Sequence, residues 1–146
     1  MNNSFRRNLC AAAGALLLLT ALPVAAQTPS PSAASSPRAV AKALMAKDLP
    51  DFAGKEGVVT ALEYPPGASS PPHRHNAHVF LHLLEGQLIV QVKGGELVTL
   101  NPGGTFYESP SDIHTVSRNP SATTPAKALV FMVKEKGAPT TTPVKE

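Results

Sequence analysis

Gln87-Leu88-Ile89-Val90-Gln91-Val92-Lys93-Gly94-Gly95-Glu96-Leu97-Val98-Thr99-Leu100 changes character at every second residue before it turns. Successive side chains of a strand point to opposite faces, so Leu88, Val90 and Val92 fall on one face and Gln87, Ile89 and Gln91 on the other. Lys93-Gly94-Gly95 then makes a hairpin into a second strand over Glu96 to Leu100. The same grammar extends in both directions. Upstream, Gly57 to Tyr64 is a strand closed by Pro65-Pro66-Gly67, and Val79 to Leu84 is another ending at Glu85-Gly86. Downstream, Asn101-Pro102-Gly103-Gly104 turns the chain into Thr105 to Glu108, followed by Ile113 to Ser117 and Ala126 to Val133. About seven short strands at spacings of roughly 8 to 12 residues, with no convincing helical period among them, predict an all-β antiparallel sandwich or barrel.

The flanks are different. Residues 1–26 read as a secretory signal peptide: Arg6 and Arg7 supply the positive start, Leu9 to Leu22 the apolar run, and Val24-Ala25-Ala26 a small-residue cleavage site. That places the mature protein in the periplasm or outside the cell, and the Arg6-Arg7 pair leaves both the general and the twin-arginine export routes open. Residues 27–39, rich in Pro, Ser and Ala, read as a linker. A single domain is expected over 40–134, with its core at 56–134. Val40 to Leu49 is either helical or extended, and the tail at 135–146 either hangs loose or covers an edge strand.

Export also changes the chemistry on offer. Cys10 lies in the leader, so the mature chain has no cysteine for disulfides, thiolate ligands or nucleophilic catalysis. Removing Arg6 and Arg7 leaves 11 basic residues against 10 acidic ones, a net charge of +1. No basic run or aromatic platform points to nucleic acid, and no apolar segment after the leader points to a membrane span.

All five histidines lie between positions 73 and 114, and His73, His75 and His78 crowd into Pro71-Pro72-His73-Arg74-His75-Asn76-Ala77-His78. Histidines at i and i+2 of an extended segment share a face and can bind one ion together, and imidazole is the commonest protein ligand for a transition metal. His114 is the further candidate.

These residues carry a family resemblance. Gly67, then His73-Arg74-His75, then Leu84-Glu85-Gly86 resembles the first cupin motif, and Gly103, His114 and Asn119 resemble the second at a fitting distance. The likeness extends over about residues 56 to 134. Val79 stands where many cupins place a glutamate ligand, and Ser109 and Ser111 stand where proline and glycine are usual.

The resemblance implies a cupin-like antiparallel β-barrel, also described as a double-stranded β-helix or jelly roll. It implies one divalent transition metal ion, whether iron, manganese, nickel, copper or zinc, held by His73, His75 and His114 on facing strands. It also implies a homodimer and a small-molecule ligand or substrate. His78 is either a fourth ligand or a surface group, since simple alternation turns it away unless the strand bulges. Glu108 shares a face with Phe106 and either reaches the site or is solvated and paired with a group such as Arg118; with His78 it is the candidate for proton transfer. His82 reads as a hydrogen-bonded packing residue, and Gln91 as a lining residue in one of two registers. No Gly-x-Ser-x-Gly elbow accompanies Ser109 or Ser111, which argues against a hydrolase.

The leading expectation is therefore a mononuclear non-haem metalloenzyme, oxygenase-like, acting on a small chelating substrate. A non-catalytic small-molecule- or metal-binding module is the alternative, and a metal-dependent isomerase or lyase the third.

Overall fold

The computed structural model describes residues 37–144, so the leader and most of the linker lie outside the described residues. Eleven strands and no helix occur among them: β1 (Val40–Asp48), β2 (Lys55–Tyr64), β3 (Ser69–Ser70), β4 (His73–Arg74), β5 (Ala77–Glu85), β6 (Leu88–Val92), β7 (Val98–Leu100), β8 (Thr105–Glu108), β9 (His114–Arg118), β10 (Ala126–Glu135) and β11 (Thr142–Pro143). They form two antiparallel sheets. One runs β1-β2-β10-β5-β8; the other runs β11-β4-β9-β6-β7, with β3 also paired to β9.

The core lies between the sheets and follows the alternation of the sequence. Leu88 and Val90 of β6 are buried, as are Ala77, Val79, Leu81 and Leu83 of β5 and Ala126, Ala128, Val130 and Met132 of β10. Taking apolar side chains out of water at alternate positions on facing sheets stabilises this layer arrangement and fixes the register, because a one-residue slip would expose a whole face.

Two segments resolve alternatives that the residues left open. Val40 to Asp48 is extended, pairs with β2 at the edge of its sheet, and is exposed along its whole length. A register shift between Ala43 and Met45 reverses the parity partway, so no period-two pattern is visible in that sequence. The tail is not loose over its described part: Thr142 and Pro143 pair with Arg74 and His73, and the Val144 amide donates to the Pro72 carbonyl at 3.3 Å. The linker boundary also shifts, since the Pro37 carbonyl accepts from the Ser69 amide at 3.2 Å and Ala39 packs against the core.

Asn119, buried just after β9, ties three chain segments together. Its Nδ2 donates to the carbonyls of Tyr64, Pro65 and Thr124, at 3.1, 3.2 and 2.8 Å, while its Oδ1 accepts from the Ser121 amide at 2.9 Å. Buried carbonyls and amides left without partners carry their full desolvation cost. Asn119→Ala is therefore expected to lower unfolding free energy by about 2–3 kcal/mol, read as a shifted urea midpoint with an unchanged slope. A shift within experimental error would show that water replaces all four contacts.

Candidate metal centre

His73 and His75, two residues apart, meet His114, some forty residues further along the chain, at one end of the space between the sheets. His73 and His114 are direct register partners on neighbouring strands of one sheet, β4 and β9, rather than on facing strands. His75 follows β4 and Asn76, at φ 49°, turns the chain into β5. One ring nitrogen from each of the three histidines lies within 4.8 Å of the others.

A bulge aims His114. In β9 the register with β6 shifts between Gln91, opposite Val116, and Val92, opposite His114, leaving Thr115 as the extra residue. His114 and Ser117 are an odd number of residues apart and would face opposite ways on a regular strand. Both are buried on the inner side because of the bulge.

The ring nitrogens have defined roles. His73 Nδ1 lies 2.8 Å from the Pro71 carbonyl and His75 Nδ1 lies 2.6 Å from the Thr140 carbonyl. A carbonyl only accepts, so each Nδ1 carries the proton, and in the neutral ring Nε2 is a bare lone pair. Those two Nε2 atoms face one another at 3.2 Å. Between neutral rings this is a contact of two acceptors, not a hydrogen bond, and it needs a cation to be favourable. Burial pushes the His73 pKa down from its ordinary value, against the opposing effect of the Pro71 carbonyl, so the ring favours its neutral form.

His114 makes the same demand in another way. Both its ring nitrogens are buried without a hydrogen-bond partner among the described residues; Glu108 Oε1 lies 3.2 Å from Nδ1 but off hydrogen-bond geometry. Orphaned buried polar atoms are rare and costly. Glu108 is itself only 3 % exposed, and its other oxygen lies 3.8 Å from His75 Nε2. A buried carboxylate facing only imidazoles lacks its counter-charge. A divalent ion among these donors would satisfy the bare Nε2 atoms, the orphaned His114 and the carboxylate together. Nitrogen ligands at about 2.1 Å from one ion sit about 3 Å apart when adjacent, which the His73–His75 spacing matches.

Glu108 sits in this cluster because of a register pairing. Its partner across β5 and β8 is Val79, the position at which the first motif lacks its glutamate. The carboxylate thus enters from the next strand instead. It makes no ion pair with Arg118.

Other candidates lie elsewhere. His78 is on the outer face of β5, with Nδ1 2.8 Å from the Tyr107 hydroxyl and the two rings stacked at 6.1 Å. Plain alternation holds from Ala77 onward, so His78 is outside both the ligand set and the proton-transfer site. His82 is also exposed on that face, contrary to its reading as a packing residue. Gln91 donates from Nε2 to the Gly95 carbonyl at 3.0 Å within its own hairpin and does not line the site.

The histidines open onto a cavity of about 290 Å³ whose surface is mostly apolar. Leu62, Leu81, Val130 and Met132 form its wall, with Tyr64 beside them. The Tyr64 hydroxyl is 2.5 Å from Ser117 Oγ and 2.9 Å from Ser70 Oγ, and burial raises its pKa above the ordinary value. Tyr64 lies in no motif of the sequence. Its parity with Val58, Thr60 and Leu62 was the available signal, because these residues share the inner face of β2.

Residues 61–132 match a family model described as a cupin domain. A cupin domain from Bordetella pertussis Tohama I superposes with a TM-score of 0.55 at 20% identity, covering 69% of this chain and 98% of that one. The polyketide cyclase RemF from Streptomyces resistomycificus gives 0.52 at 22%, covering 73% and 78%. An oxalate oxidase in complex with the substrate analogue glycolate gives 0.51 at 22%, covering 67% of this chain and 52% of its own. No curated protein sequence matches.

Proposed function

This chain belongs to the cupin superfamily, and from that premise we propose that it is an exported mononuclear non-haem metalloenzyme, oxygenase-like, that acts on a small chelating substrate. The observation that carries this reading is the convergence of His73, His114 and Glu108, all buried, with the partly buried His75 on the wall of a largely apolar cavity. A bound divalent ion would supply Lewis acidity and open coordination positions for substrate, water or dioxygen.

The chain's own residues define the rest. The carbonyls of Pro71 and Thr140 fix the tautomers of His73 and His75. The apolar wall excludes water and strengthens polar interactions within the cavity. Glu108, buried against His114 and His75, is placed to take a proton from a bound substrate and return it. Tyr64 and Ser117 offer hydroxyls on the same cavity to orient a polar substrate group.

The test is oxygen consumption by iron-, manganese- and zinc-loaded protein over a panel of catechols, enediols and 2-hydroxy acids. Uptake with a redox-active metal and none with zinc supports the oxygenase reading. In that active form, Glu108→Gln is expected to keep its metal and lose about 100-fold or more in kcat; loss of the metal instead would make Glu108 a ligand. Turnover that survives in zinc would support an isomerase or lyase. Absence of turnover with every metal would favour a small-molecule-binding module, the reading that the apolar character of the cavity also suits.

Export and dimerisation are part of the proposal. The leader pattern supports a mature start near Gln27 in periplasmic or secreted fractions. The exposed edge strand β1, with Val40, Leu44 and Met45 each at least half exposed, supports a homodimer.

A further inference from the structure

We propose that Arg38 is the substrate-carboxylate anchor of this cavity, so that the molecule it takes is a small apolar-bodied acid bearing a separate chelating group. The inference rests on the metal-site reading above and extends it to substrate class.

Among the described residues that line the cavity, Arg38 is the only cationic side chain apart from the histidines, and Glu108 the only acidic one. Glu108 is turned to the histidines, with its oxygens 3.8 Å from His75 Nε2 and 3.2 Å from His114 Nδ1. The guanidinium of Arg38 forms no ion pair with a carboxylate among the described residues.

Its backbone, by contrast, is held on both sides. The preceding carbonyl, of Pro37, is bonded to the Ser69 amide, and the following residue, Ala39, packs against the core before β1 begins. An arginine held by its neighbours at the mouth of an apolar cavity differs from one on a free surface. Its fork of donors is matched to a carboxylate, which accepts two parallel hydrogen bonds.

The charges of the site point the same way. With a divalent ion among three neutral imidazoles and the Glu108 carboxylate, the donor cluster retains one positive charge. Arg38 adds a second. A neutral ligand would leave both uncompensated in a cavity whose walls are mainly apolar, whereas an acid neutralises the charge at the mouth and presents its remaining donors to the histidines. The apolar wall of Leu62, Leu81, Val130 and Met132 then takes the body of the molecule.

The experiment measures calorimetric binding of 3,4-dihydroxybenzoate and of its neutral counterpart 3,4-dihydroxybenzamide to zinc-loaded and metal-free protein. Wild type, Arg38→Gln and Arg38→Lys are compared, with metal content and melting temperature determined for each. The wild type should prefer the acid, and Arg38→Gln should weaken acid binding by roughly 10- to 100-fold while leaving amide binding unchanged. Arg38→Lys should recover part of the loss. Equal binding of acid and amide by the wild type, no measurable binding of the acid, or an Arg38→Gln protein that binds the acid as tightly as wild type would each overturn the proposal.

The two readings fail separately. Protein that takes up no zinc contradicts the metal centre, yet acid selectivity that depends on Arg38 is still readable in the metal-free arm. Protein that binds zinc fully but shows no dependence on Arg38 leaves the metal centre standing and removes the anchor. Arg38 is exposed and outside the core, so its variants should melt with the wild type.

Discussion

A His73→Ala/His114→Ala protein will bind divalent metal at least about 100-fold more weakly than the wild type, exceeding the effect usual for residues that only support a ligand. Elemental analysis of protein recovered after export should show near-stoichiometric metal in the wild type and background levels in the variant. Thermal unfolding provides a second readout. A ligand that binds only the folded state stabilises it by about 2.7 kcal/mol at 100 times its dissociation constant, and the variant should show no such gain.

The metal-free proteins should behave differently from an ordinary core truncation. Removing His114 leaves a cavity, which destabilises, but it also removes two buried nitrogens that have no hydrogen-bond partner among the described residues. The second effect offsets the first. A metal-free variant nearly as stable as the metal-free wild type, paired with a wild type that alone responds to metal, is the expected signature. Equal metal-induced stabilisation of both would sink the assignment of these imidazoles as ligands.

The largest loss of stability is expected from Gly86→Ala. Gly86 lies between β5 and β6, where the chain leaves one sheet for the other, and has φ 74°. A Cβ there would come within 2.3 Å of the Pro125 carbonyl oxygen and 2.8 Å of the Ala126 Cα. These are backbone atoms at the start of β10, which is paired on one side with β2 and on the other with β5, so the clash cannot be relieved by one side chain rotating. Left-handed strain and forced displacement together should cost about 3 kcal/mol or more. The melting temperature should fall by about 10 °C or more. Gly67→Ala is the control, since φ is 69° there but nothing lies within 4 Å of the added atom. It should cost only about 1–2 kcal/mol. Equal losses at the two positions would mean that backbone conformation, not the approach of β10, makes Gly86 necessary.

Much of this architecture is written in the residues themselves. The alternation around Leu88 and Val90 became a buried face, and the two histidine segments were brought together as the resemblance to the two cupin motifs implied. What escaped the reading depends on events between strands. β1 lies exposed at a sheet edge and changes parity at its own bulge, so neither burial nor period marks it. The bulge at Thr115 leaves no trace in local composition, yet it determines which way His114 points. Glu108 reaches the site through its pairing with Val79, a fact of register rather than of spacing along the chain. Arg38 fell within a stretch whose composition suggested only a linker.

The Thr140 carbonyl that orients His75 belongs to a residue 65 positions downstream of it. Between them the chain must also supply Glu108 and His114, so the donor set has no counterpart in a partly emerged or partly folded chain. The complete site therefore exists only where the barrel has closed, and binding of the ion by the full donor set is coupled to folding. If the chain crosses the membrane unfolded, the metal it carries is chosen by the compartment where folding ends; if it crosses folded, by the compartment where it was made.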